Sequence, residues 1–120
     1  MTAWAHLPNA AHIDKVIASS KATPKQWTQR RWVCASWSVA WDDAWEAAMN
    51  AVRSSAWNAA RDAAWYFARD AVLALIAYDD CAFMLDSDPG ELAILAALGD
   101  RRAILLLPAC KVFHVPKDPV

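Results

Sequence analysis

From Ala56 to Ala71 the chain reads AWNAARDAAWYFARDA, with Trp57, Arg61, Trp65 and Arg69 recurring every fourth residue and mostly alanine between them. Four-residue spacing returns a side chain to nearly the same side of an α-helix, and alanine is the strongest helix former. The stretch predicts helix. A row in which Trp and Arg alternate is unusual core patterning, so the row is also a candidate contact surface.

The pattern extends well beyond the quoted run. In tetrads from Val33, the first place holds Val33, Trp37, Trp41, Trp45, Met49, Arg53, Trp57, Arg61, Trp65, Arg69 and Leu73. The second place is mostly polar, through Ser38, Asp42, Glu46, Asn50, Ser54, Asn58, Asp62 and Asp70, and is expected to face outward. The other two places are mainly alanine, giving an amphipathic helix with a smooth side and a bulky edge. Four residues turn an ideal helix by about 400°, so the stripe drifts roughly 40° per tetrad. One straight helix therefore cannot hold Trp37 through Trp65 against a single neighbour. Either the run is a helical hairpin, or it is one long bent helix whose ends have different neighbours.

Boundaries follow from local signals. Asn9 is placed to cap a helix over about Ala10–Ser19, with SSKAT as a turn. Thr23 and Pro24 begin the next helix, with Gln26 closing a capping box. No glycine or proline occurs from Lys25 to Ser87, so breaks are expected only near Ser54, where two serines stand together, and near Asp79. Asp88, Pro89 and Glu91 start another helix and Gly99 stops it. Asp100 caps a final apolar element, AILLLPAC, which Pro108 kinks or ends. Residues 114–120 read as an extended tail. The expected fold is a single all-α domain over 1–120: a long Ala/Trp-rich hairpin, or one bent helix, with shorter terminal helices packed on it.

Composition narrows function by exclusion. Of 120 residues, 27 are alanine and 8 are tryptophan, so the indoles supply much of the apolar burial. A formal charge of −1 fits neither a basic nucleic-acid domain nor an acidic DNA mimic. The uncharged apolar runs are about ten residues long, short of the ~20 a bilayer span takes. MTAWAHLPNAAHIDKV lacks the pattern of a secretory leader, and three scattered cysteines suggest no disulfide framework. A soluble cytoplasmic protein with reduced thiols is expected. Eight indoles in so small a domain also point to a homo-oligomer.

The AWxxARDAAW run followed by LIAYDD, LAALGD and AILLLPA resembles small uncharacterised Ala/Trp-rich helical proteins of tailed bacteriophages and bacterial mobile elements. The resemblance spans Trp37 to Phe113 and implies a biological setting, the host bacterial cytoplasm, without implying an activity.

Several chemistries are weighed. Cys110 and His114, four apart, could join Cys34 and Cys81 in a zinc site, but paired CxxC spacing is absent. Asp42, Asp43 and Glu46 form one acidic cluster and Asp79 with Asp80 another; these could act as ion ligands or as acid and base. A solvated polar face explains the first group and a helix-ending turn the second, and these readings are preferred. No glycine-rich phosphate loop occurs, the cysteines have no glycine-rich elbow beside them, and the histidines, His6, His12 and His114, sit near the termini. Neither cofactor nor metal is expected. A membrane-surface helix is disfavoured by the acidic residues interleaved along the run. The Trp/Arg row is the remaining signal, since these residue types concentrate at interface hot spots. The expected protein interface is Trp57, Arg61, Trp65 and Arg69, with Trp41 and Trp45 on the same edge. The chain thus reads as a non-enzymatic accessory factor that binds a host or phage protein, inhibition of a host defence protein being one form this could take. An immunity or antitoxin protein is one alternative; a helical enzyme or metal-binding domain using the acidic clusters is another.

Overall fold

Ala103 through Cys110 are buried without interruption, Pro108 included. A helix apolar on every side belongs in the middle of a domain, and helix α7 (Arg101–Phe113) occupies that place. Around it pack α2 (Pro24–Arg30), α3 (Trp37–Ala51), α5 (Arg69–Ala77), α6 (Pro89–Ala97) and a 3₁₀ turn (Ala82–Asp86). Helix α1 (Ala10–Ala22) lies on α5 and α2, and α4 (Ser55–Ala63) lies on α5. The structure is a computed structural model that describes residues 3–30, 37–52, 55–64 and 68–114. The all-α expectation is met: helices account for most of the described residues, and none lies in a strand. No helix among them is long and apolar enough to cross a membrane. The radius of gyration, 13.4 Å, agrees with the ~14 Å of a compact chain of this length.

The alanine-rich run bends more often than its spacing suggests. Helix α3 ends at Ala51 and α4 begins at Ser55, as the serine pair predicts. A further break is a correction: α4 stops at Ala63, Ala64 is a bend, and α5 begins at Arg69. The run holds no glycine or proline to signal it, so tertiary packing overrides a locally unbroken propensity. Trp57–Arg61 and Arg69 are therefore on different helices, and the four-membered ladder does not form. Trp65 lies outside the described residues, as do Cys34 and the tail from 115.

The caps show which local signals act as read. Asp88 accepts from the N–H groups of Gly90 and Glu91, with Pro89 at the first position of α6. Asp100 does the same for Arg102 and Ala103 of α7. Between these helices Gly99 has φ +92°, a conformation costly for any residue with a Cβ. Its N–H reaches the Ala96 carbonyl, and that of Asp100 the Leu95 carbonyl, both at 3.0 Å. The pair is a complete Schellman closure. Pro108 does not end α7.

Asn9 departs from its expected role. It precedes α1, but its side chain makes no bond to that helix. Its amide instead donates to the carbonyls of Leu75 (2.7 Å) and Tyr78 (2.8 Å), closing the C-terminal end of α5. Helix α1 also runs through SSKA to Ala22, where a turn was expected. The Thr23 hydroxyl donates back to Ser19, at the end of α1.

Candidate functional site

Trp41, Trp45 and Met49 are spaced i, i+4, i+8 along α3, which sets them in a row about two turns long. In a straight continuous helix Trp57 would lie about 18 Å further along than Trp45. The Trp45 and Trp57 rings instead meet edge to face, 6.4 Å apart at 76°. The break after α3 turns the drifting stripe back on itself, so α4 brings Trp57 and Arg61 to the α3 row. The second break aims Arg69 and Asp70, at the start of α5, into the same place. Seven side chains, Trp41, Trp45, Met49, Trp57, Arg61, Arg69 and Asp70, line a recess of about 180 Å³.

Its interior is held by specific contacts. Trp41 and Trp45 lie 6.0 Å apart with their planes tilted 36°, within the range of favourable aromatic pairs. Trp41 donates its indole N–H to Asp70 Oδ2 at 2.8 Å. Asp70 is only 6% exposed, which corrects its assignment to the outward polar places; Asp42, Glu46, Asn50, Asn58 and Asp62 of that set are exposed as expected. The carboxylate also sits in the first turn of α5, where the helix dipole favours negative charge. Arg69 donates through Nε to the Arg61 carbonyl at 3.1 Å, capping the last turn of α4 with a side chain from α5. Arg61 is exposed and lies 3.7 Å from Asp62.

Trp57 forms the floor of this cluster, 4% exposed. Among the described residues its Nε1 is the buried side-chain polar atom without a hydrogen-bond partner. Beside the recess, Trp41, Trp45 and Met49 also border a shallower concavity of about 410 Å³ whose further lining is acidic, Asp42 and Glu46.

Five of the six expected interface residues thus share one recess, and the sixth, Trp65, lies outside the described residues. Met49 and Asp70 are lining residues that the sequence reading did not single out. Met49 was visible as a member of the tetrad stripe. Asp70 carried no such signal, because the alternation that placed it outward assumed an unbroken helix.

The other candidate chemistries are dispersed. Asp80 pairs with Arg102 at 3.2 Å, and Arg102 also holds Asp100 at 3.3 Å. Burial opposes ionisation of Asp100, but the Arg102 guanidinium and the N–H groups at the start of α7 outweigh it and hold its carboxyl below the usual range. His12 and Lys15 meet Asp86 at 3.1 and 3.5 Å, and the His12 hydrogen bond leads in lowering that carboxyl. Cys110 Sγ and His114 Nδ1 do approach, to 3.7 Å. The Cys110 thiol donates to the Ser87 carbonyl, and the Cys81 thiol to carbonyls at the end of α5. Burial pushes the Cys81 thiol up to about 12 and Cys110 to about 11. Among the described residues, no three His, Cys, Asp or Glu side chains gather to hold an ion.

The number of indoles in so small a domain is the motive for expecting a homo-oligomer, and the side chains of five of the eight are described. Trp4, Trp27 and Trp57 are buried and Trp41 and Trp45 half-buried. Among the described residues, the large apolar side chains left most open are Val39 on α3 and Ile94 and Leu98 at α6 and its cap.

The recess therefore offers aromatic faces, a thioether, guanidinium donors and one seated carboxylate; its described lining has no thiol, hydroxyl or imidazole. Such a set can bind and orient a group. No protein-family model, curated protein or solved structure matches the chain.

Proposed function

We propose that this protein is a non-enzymatic binding factor that docks a partner protein on the Trp41–Trp45–Trp57 recess. The observation that carries the reading is the convergence of three indoles, a methionine and two arginines from three separate helices on one concavity. Trp and Arg are enriched at hot spots, and Met and Arg at interface cores, because each buries much area while keeping a directional contact. At about 180 Å³ the recess has the size of one large side chain, since a cavity of ~150 Å³ accommodates benzene. In the phage or mobile-element setting suggested by the sequence resemblance, the partner is a host protein and docking inhibits it. An immunity protein masking a toxin would use the same face.

Affinity capture from a bacterial host lysate tests the reading. Arg61→Glu is the informative variant because Arg61 is exposed, whereas Arg69 also caps α4. The wild type should retain a partner that the variant loses by about 30-fold or more, the loss of one hot spot. Leu98→Ser, altering the exposed residue that ends α6, should retain it. Equal capture by the wild type and a folded Arg61→Glu variant, or no specific capture by the wild type, overturns the reading.

A further inference from the structure

Helix α6 lacks the polar outer face that a surface helix carries. From Leu92 to Gly99 the sequence LAILAALG holds no polar side chain. Leu92 and Ala96 are buried, and the helix packs on α7. Ile94 is 61%, Leu95 37% and Leu98 79% exposed, so this short span holds three of the five large apolar side chains exposed among the described residues. At about 100° per residue, Glu91, Ile94, Leu95 and Leu98 fall within an arc of roughly 100°, a stripe about 10 Å long. A helix apolar on every side is ordinarily covered, and apolar patches rimmed by polar residues mark interaction sites.

The charges at the two ends of the stripe identify its cover. Glu91 stands in the first turn of α6, and Arg101 opens α7 just past the Gly99 turn. Both are exposed, and among the described residues neither side chain makes a hydrogen bond or ion pair. The charges beside them are engaged: Asp88 caps α6, and Arg102 holds Asp80 and Asp100. We propose that this face is a self-association surface, on which a second copy of the chain packs its own α6 antiparallel about a twofold axis level with Ala96. That axis sets Ile94 against Leu98 of the second copy and Glu91 against its Arg101, each contact occurring twice. A twofold contact has to be self-complementary, and a stripe running from acid through apolar residues to base is so only when antiparallel. Parallel packing would oppose like charges and align the helix dipoles. Three large side chains per copy fall short of the ~800 Å² that each partner buries in a standard interface, which makes the dimer a weak one, with Kd on the order of 100 µM. Helix α6 contributes no residue to the Trp41–Trp45–Trp57 recess, so the inference stands apart from the docking reading.

Sedimentation equilibrium of the full chain, from about 10 to about 500 µM, reads the association. The wild type should follow a monomer–dimer equilibrium of the stated strength. Leu98→Ser and Ile94→Ser should each weaken it by about tenfold or more; both side chains are exposed, and circular dichroism checks that the variants keep their helix content. Glu91→Arg alone and Arg101→Glu alone should each weaken it by about fivefold or more, because both end contacts then oppose like charges. An equimolar mixture of those two variants should associate about as strongly as wild type, since each copy then offers the other only opposite charges. A wild type that stays monomeric at about 500 µM overturns the inference, as does association that a folded Leu98→Ser variant leaves unchanged. A mixture that associates no better than either charge variant alone refutes the antiparallel twofold pairing. None of these outcomes bears on capture of a partner at the recess, which Arg61→Glu tests separately.

Discussion

Asn9→Ala should be among the most destabilising single substitutions outside the apolar core, although its residue lies in a loop. The side chain is 3% exposed, and its amide closes α5 through Leu75 and Tyr78. Leu75 belongs to the last turn of α5, whose carbonyls have no donors within their own helix. Truncation leaves that carbonyl buried and unpaired, which costs about 1–3 kcal/mol. The Tyr78 carbonyl keeps the Cys81 thiol at 3.3 Å, a weak donor, so its loss is nearer 1 kcal/mol. Together the cost is about 2–4 kcal/mol, and at ~4 °C per kcal/mol for a chain of this length Tm should fall by about 8–16 °C. Asn9→Asp sharpens the test, because it points an acceptor at two carbonyl oxygens. Its folded pKa must then be raised, so the stability it retains is greatest below the unfolded value and is lost as pH rises through the folded one. Near neutral pH it should be worse than Asn9→Ala, and the gap should narrow as pH falls toward about 4. Thermal unfolding of both variants across that range decides the matter. An Asn9→Ala Tm within about 2 °C of wild type, or an Asp variant no worse than Ala at neutral pH, refutes the cross-helix cap.

Asp70→Ala should lower stability by about 1.5–3 kcal/mol through loss of the charged acceptor for Trp41, and Asp70→Asn by about half as much. Denaturant titration with near-ultraviolet dichroism of the indoles measures both; an Ala variant as stable as wild type contradicts a structural role for this carboxylate. The buried thiols should be inert in the folded protein. Raising Cys110 from 9.0 to about 11 and Cys81 to about 12 cuts their thiolate fractions at pH 8 by about 100-fold and 1000-fold. Iodoacetamide labelling read by peptide mass spectrometry should therefore modify Cys81 and Cys110 only after denaturation, and rapid native labelling of either would show that its burial is wrong. The same burial makes stability fall above pH 9, because the unfolded chain ionises these thiols first.

Helix type and most helix ends were legible because local chemistry fixes them. An aspartate accepts two N–H groups wherever it precedes a helix, as at Asp88 and Asp100, and Gly99 alone tolerates its φ at no steric cost. The break after Ala63 was not legible, since no glycine or proline stands between Ser55 and Ala77 and the aromatic run Trp65–Tyr66–Phe67 is only a weak signal against helix. It exists because α5, buried at every position from Asp70 to Ile76, has to run beside α7, and no local propensity encodes that requirement. The same break decided the site. The tetrad stripe named Trp41, Trp45, Trp57, Arg61 and Arg69 correctly as neighbours in character. On a straight helix it would have spread them around the axis, and the two turns of the chain gather them instead. Asp70 shows the limit most clearly: its period places it outward, and only the restart of the helix one residue earlier turns it inward to meet Trp41. A four-residue repeat thus specifies which side chains are large, while the positions where the helix breaks specify which of them meet. Substitutions that straighten the segment between α4 and α5 should therefore cost the recess before they cost helix content.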